Sequence, residues 1–250
     1  MNETALAWNG LFLGVVTVLL TAPLLPAWKE WKHPEDDAAQ PLGPQAVSAA
    51  KLLVRHFHLT AETPASSTIE ATQSIFAMAG SRFEKLVSPR IQFGTADPIH
   101  RPAASPVPER PWSVQEHGSR ATPWGEHGWR IEGDVRIPAS HQITGPLVVT
   151  GSLHIEPDCL IAGDIKAHGS VFLAPRTMVT GALTSDQDID LGTACVVQGP
   201  VLCAGDLSIA SWVVLGQETQ ATSVCADNIT VQSAAMVHGT VWARRSGQVT

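Results

Sequence analysis

Ten histidines, four cysteines and 23 acidic side chains supply the residue types from which nucleophiles, general bases and metal sites are made. A catalytic relay needs a nucleophile, a base and an orienting carboxylate at spacings that a fold can bring together. In the C-terminal half, His141, His154, His168 and His238 have no carboxylate or serine at a fixed offset, so no relay is expected. Cys159 and Cys195 share a column with His141, Thr177 and Val213, and Cys203 shares one with Val149, Ala167 and Ser185. Those are the places of small inward packing residues. Cys225 falls in an irregular stretch, and with no CxxC pair the spacing offers neither a zinc site nor a redox couple. No disulfide framework is implied, which favours a reducing compartment. The glycines form no phosphate loop and no dinucleotide fingerprint. Asp134, Asp164 and Asp206 each follow a Gly at repeat-equivalent places, the mark of a turn preference rather than of a calcium array. The expectation is no catalytic residue, no cofactor and no metal ion.

What must position these residues is a repeat. Gly145, Gly163, Gly181 and Gly199 lie 18 residues apart, and Gly133, Gly151, Gly169 and Gly205 keep the same beat. Val135, Leu153, Val171, Ile189 and Leu207 form one aliphatic column, and Ile137, Ile155, Leu173, Leu191 and Ile209 a second. Ile143, Ile161, Val179, Val197 and Leu215 form a third, with Leu147, Ile165, Leu183 and Val201 a fourth. A period near 20 residues marks a solenoid whose repeats bury their apolar faces only by stacking. Alternate pairs such as Leu147/Val149 have strand spacing, one side chain in and the next out. Glycines turn the corners. The fold class expected is all-β: a parallel three-sided β-helix with about 18 residues per coil, preceded by one N-terminal transmembrane helix.

Net charge is −7, so no basic nucleic-acid footprint is expected. Charged residues make up only 16% beside 18 Pro and 20 Gly, a balance that suits a turn-rich β solenoid.

In chain order, residues 5–28 are uncharged and long enough to cross a bilayer, which takes about 20 residues. Glu3 precedes this span while Lys29 and Lys32 follow it, so the positive-inside rule puts the C-terminal bulk in the cytoplasm. Residues 29–66 read as a juxtamembrane linker with a short helix over 46–57, and 67–95 as a divergent β-helix coil in which Ile75 and Phe93 are one period apart. Residues 96–128 carry Pro98, Pro102, Pro106, Pro108, Pro111 and Pro123, a linker or loop that interrupts the solenoid. The main β-helix is expected over 129–245, with Trp112, Trp124 and Trp129 where it resumes, either as an aromatic cap over its open end or as a partner-binding surface. Past Leu215 the beat slips from 18 to 22, an inserted corner loop near Gln217 to Ser223, and residues 246–250 are expected to fray. The terminal coils of a β-helix carry unpaired backbone groups and an open core, a template for another chain. Trp129 and Ile131 at one end, and Val241 and Trp242 at the other, are the candidate assembly ends.

The runs IEGDVRIP from Ile131 and TGPLVVTGSL from Thr144 resemble the bactofilins, the polymer-forming cytoskeletal family of bacteria. So do KAHGSV from Lys166, VQGPV from Val197 and VHGTVWA from Val237. The hydrophobic opening, AWKEW from Ala27 and RFEKLVSPRIQFG from Arg82 are similar to its membrane-anchored proteobacterial branch. That resemblance implies a right-handed β-helix that polymerises without nucleotide, lies along the inner membrane as a single-pass protein, and scaffolds cell-shape or envelope-polysaccharide machinery. Its implied partners are further copies of itself, inner-membrane lipid and client proteins. Two features depart from the usual pattern: the Pro-rich break, and an N-terminal coil that would cap one end. A different class is the hexapeptide-repeat acyltransferase, a trimeric left-handed β-helix with the same coil length and a catalytic His between subunits. The six-residue beat of Leu147, Leu153, Ile165 and Val171 fits it, but the aliphatic-then-Gly pair of that family is irregular here. A monomeric, membrane-linked β-helix adaptor is the third reading.

Overall fold

The computed structural model describes residues 52–63, 68–94, 110–113, 120–125 and 127–250. The expected membrane span over 5–28 lies outside them, and they contain no helix long and apolar enough to cross a membrane. They belong to one compact unit, Val47–Thr250.

Every element among the described residues is a strand. The first three are long: β1 (Leu52–Leu59), β2 (Thr68–Ala77) and β3 (Arg82–Phe93). Then come β4 (Arg110–Pro111), β5 (Ala121–Trp124) and β6 (Gly128–Ile131). Five short coils of three strands follow, less the last strand of the fifth. They are β7 (Val135–Ile137), β8 (His141–Thr144), β9 (Leu147–Val149), β10 (Leu153–Ile155), β11 (Leu160–Ala162) and β12 (Ile165–Ala167). The series continues with β13 (Val171–Leu173), β14 (Met178–Val179), β15 (Leu183–Ser185), β16 (Ile189–Leu191), β17 (Val196–Val197), β18 (Val201–Cys203), β19 (Asp206–Ile209) and β20 (Val214–Leu215). Two long strands, β21 (Thr222–Val231) and β22 (Met236–Val249), wrap around corners and finish the chain.

The parallel solenoid has three faces. Face A carries β7, β10, β13, β16 and β19 in register, each residue opposite its counterpart 18 positions on, as in Leu153 against Val171. Face B carries β8, β11, β14, β17 and β20, and face C β9, β12, β15 and β18. The four expected aliphatic columns all point inward and are buried. The slip past Leu215 is accommodated as expected: Gln217 and Gln220 close a corner loop, and Leu207 faces Ile229.

Corners repeat as strictly as faces. Between faces A and B, Ser140, Asp158, Arg176, Ala194 and Trp212 all adopt φ between 60° and 66°, a left-handed ladder built without glycine. Such a conformation costs an L-residue on the order of 1 kcal/mol. It turns the backbone N–H of Ser140, Asp158, Arg176 and Ala194 toward the carbonyl of the next coil, at 2.9–3.2 Å. Between faces B and C the glycines are a matter of contact: a Cβ on Gly163 would stand 2.4 Å from the Gly145 oxygen, and one on Gly181 2.5 Å from the Gly163 oxygen. Aspartates at the corners between faces C and A and between faces B and C tie successive coils together, two following a glycine (Asp134, Asp164) and one following Gln187 (Asp188). Asp134, Asp164 and Asp188 each accept the backbone N–H lying 18 residues on, that of Ser152, Ala182 and Asp206, at 2.7–2.8 Å.

Several expectations are corrected. Residues 52–59 form a strand where a helix over 46–57 was expected. An isolated helix of about 12 residues is marginal in water, whereas β1 gains a parallel ladder against β2 and buries Leu59. The Pro-rich stretch 96–128 contributes β4 to face B and the β5–β6 hairpin to face C, while 95–109 and 114–119 lie outside the described residues. Ile75 pairs with Ile91 instead of keeping the 18-residue beat with Phe93. The C-terminus is ordered through Val249, which is buried.

The N-terminal coils stack against the last coil, far from β7. β3 pairs antiparallel with β22: Ile91 with Val237 on face B, Leu86 with Val241 on face C, and Phe83 with Gly247 on face A. β22 therefore runs B–C–A while β3 runs A–C–B around the same core. Two β-helical pieces meet through their C-terminal coils. Gly247 takes a place where the same column carries aliphatics in earlier coils, and a Cβ there would be 2.3 Å from the Phe83 ring. The Phe83 ring fills the vacated core and tilts against Phe93, centroids 5.9 Å apart.

The glycine contacts are testable. Gly181→Ala should destabilise the fold by about 3 kcal/mol, because the added methyl collides with neighbouring backbone that cannot give way. Urea unfolding of both proteins measures it, and an unchanged midpoint would contradict the packing described.

Candidate functional site

In a stack held together by backbone hydrogen bonds, the chemically unfinished places are its two ends. At one end, β1 pairs only with β2 among the described residues. There Phe57 is half-buried against the core, and Arg55, His56 and His58 are exposed. At the other end, β7 pairs only with β10 among the described residues, while β4 covers β8 and the β5–β6 hairpin covers β9. Trp112 and Trp129 are half-buried and pack on the core, Ile131 is fully buried, and Trp124 is 51% exposed.

The four candidate assembly residues thus separate. Trp129 and Ile131 lie in the hairpin that closes the first coil. Val241 and Trp242 are interior to the stack, and their expected place at an open end is corrected by β3. Val241 is buried between Val224 and Leu86. Trp242 lies between Cys225 and Lys85, with the Lys85 Nζ 5.7 Å from the centre of its ring. This cation–π contact spans the joint.

Each C-terminal histidine has a local partner. His141 Nδ1 is 2.9 Å from the Ala139 carbonyl and 3.1 Å from that of Pro138, so this nitrogen is the protonated donor and ties the ring to its own corner. His154 stacks on Phe172 and approaches Glu156 at 3.2 Å. The Arg136 guanidinium, pairing with Glu156, holds that carboxyl below its ordinary range. His168 pairs with Asp186 at 2.5 Å on the surface, and His238 Nδ1 donates to the Pro89 carbonyl across the β3–β22 joint at 3.1 Å. Among the described residues no three His, Cys, Asp or Glu side chains converge as metal ligands.

The cysteines are free and mostly buried. Burial raises the Cys159 thiol, and pushes Cys203 up to about 11 and Cys195 up to about 12 from an ordinary 9.0. A nucleophilic cysteine requires the opposite shift. Cys195 donates to the Ala174 carbonyl at 3.2 Å and behaves as a packing residue. Sequence reasoning did not reach the outward column of face A, where His154, Phe172 and Asp190 stand in line along a groove; its signal was the 18-residue spacing at outward parity.

Comparison of the chain with protein-family models, with characterised proteins and with solved structures finds no match in any of the three.

The Cys195 thiol makes stability depend on pH in a defined direction. Unfolded, it ionises near 9.0; folded, it keeps its proton to about 12. The unfolded chain sheds the proton first, so this contribution is complete below pH 9 and is lost as pH rises toward 12, by at most about 1.4 kcal/mol per unit. Urea midpoints at pH 8, 10 and 11 should fall more steeply for the native chain than for Cys195→Ala. Parallel slopes would show that the thiol is not the source.

Proposed function

We propose that this chain is a membrane-anchored, self-associating scaffold of the bactofilin kind that carries out no reaction of its own. The observation that supports it is the coil stack itself. It is one continuous hydrogen-bonded column whose outermost strands, β1 and β7, each pair on one edge only among the described residues. Such edges accept a further coil by the same bonds that hold the interior together. Backbone pairing needs no nucleotide, and the acidic balance of −7 argues against nucleic acid as the partner. In this reading the uncharged span over 5–28 holds the column at the inner membrane as a single pass, with its C-terminal region in the cytoplasm. The faces between the ends are left for client proteins of the envelope machinery.

One feature favours a second reading, the monomeric membrane-linked adaptor. β22, the longest strand among the described residues and the natural growth point of the solenoid, is already occupied by β3 of the same chain. If the remaining ends are closed as well, the column cannot grow.

Negative-stain electron microscopy of the chain from Val47 onward, purified without nucleotide, separates these readings. Filaments or rods many coils long are expected. A monomer at every concentration would select the adaptor, and a uniform trimer would revive the acyltransferase, whose next test is acetyl-CoA binding with and without His141→Ala.

A further inference from the structure

Face A is concave on its outer side, with a groove of about 630 Å3 running along several coils. Its floor is an outward column in which His154 pairs with Phe172, Phe172 with Asp190, and Asp190 with Ser208. Rungs are about 4.8 Å apart, which is stacking distance for aromatic rings. His154 and Phe172 accordingly lie face to face, with centroids 4.6 Å apart and planes 18° from parallel. The rung on the other side of Phe172 carries only the shorter Asp190, and the next only Ser208. The second face of the Phe172 ring therefore borders a notch.

The notch is acidic. Asp188 and Asp206 line its wall beside Asp190. Asp188 Oδ1 accepts the Asp206 N–H and Asp206 Oδ1 accepts the Asn228 side-chain amide, both at 2.8 Å, so each retains a second carboxylate oxygen. Asp190 has no hydrogen bond or ion pair among the described residues, and partial burial raises its pKa. At the far end of the groove, Arg136 is neutralised by Glu156. The carboxylates are distributed along the rungs and do not converge as metal ligands, which favours an extended organic cation over a metal ion. A planar guanidinium satisfies both walls at once: it lies flat on a ring face and donates in-plane to a carboxylate. An ammonium has no plane to lay on the ring.

We propose that this groove binds an arginine-bearing extended segment of a partner protein, one guanidinium stacking on the free face of Phe172 and pairing with Asp190. Asp188 and Asp206 hold the flanking cationic or amide groups, and the net charge of −7 speeds the encounter. The site depends only on face A and stands whether or not the chain polymerises.

The test is fluorescence anisotropy of the full chain in neutral detergent with a fluorescein-labelled peptide of alternating Arg and Gly. Phe172→Leu and Asp190→Asn should each weaken binding about tenfold, the size expected for a partly desolvated cation–π or ion-pair contact. Glu218→Gln removes an exposed loop carboxylate away from the groove and should leave affinity unchanged. A peptide with citrulline for Arg keeps the plane, loses the charge and should not bind. Thermal midpoints equal to that of the native chain confirm that each variant is folded. Binding insensitive to both groove variants, or weakened equally by Glu218→Gln, would reduce the effect to bulk charge and overturn the proposal. Equal binding of the citrulline peptide or of a neutral hexasaccharide would overturn it as well.

Discussion

Coil-to-coil backbone hydrogen bonding is the constraint from which the rest of this structure follows. A parallel rung cannot satisfy its own N–H and C=O groups, so each coil depends on the ones above and below it. Register then admits little variation: Leu153 must sit over Val135 and under Val171, or the inward column breaks. Corners inherit the same discipline. The carbonyl of Pro157 meets the N–H of Ser140 only because Ser140 and Asp158 turn through the same left-handed conformation. The aspartates at 134, 164 and 188 extend the rule to side chains, each tying its coil to the following one.

The same constraint explains how the chain treats its own ends. The last coil, β22, would by itself present three faces of unpaired backbone and an open core. The N-terminal strands satisfy it by circling the same three faces in the reverse order. The joint is locked from both sides: Phe83 fills the space that Gly247 leaves, and Phe93 exchanges backbone bonds with Ala234 and Ala235 at 2.6 and 3.0 Å. Burying Phe83, Leu86, Ile91 and Phe93 removes a large apolar area from water. An exchange of partners at this joint would have to break it as a unit.

How much of this was legible depended on whether a feature repeats as a side chain or as a backbone state. Val135, Leu153, Val171, Ile189 and Leu207 are all aliphatic, so the column was readable, and so was the slip to 22 residues after Leu215. The corner ladder was not, because Ser140, Asp158, Arg176, Ala194 and Trp212 share no side-chain property, only a φ angle. Residues 46–57 have helical composition, yet 52–59 become a strand through pairing that only the tertiary fold supplies. The site expectations divide in the same way. Trp129 and Ile131 stand where the repeat begins, and the repeat announces its beginning. Val241 and Trp242 stand where it ends in sequence but not in space. One clue to the difference was present: Gly247 interrupts a column that is aliphatic from Val135 to Ile229, and a missing core side chain implies that something else fills the space.

A fold that so tightly specifies its inward positions leaves its chemical freedom on the outward ones. The outward column of face B runs Gln142, Leu160, Met178, Val196 and Val214, apolar in all but its first rung, whereas that of face A runs Arg136, His154, Phe172, Asp190 and Ser208. Neither sequence is required by the core, since the inward neighbours on both faces are the same aliphatics. The step from aromatic to carboxylate on face A also lacks a folding reason, because stacking His154 on Phe172 leaves Asp190 without a partner. A rung-by-rung change of chemical type at fixed spacing of about 4.8 Å is what reading an extended ligand requires. In this architecture the ends set how many copies can join, and the outward columns set what else can be held.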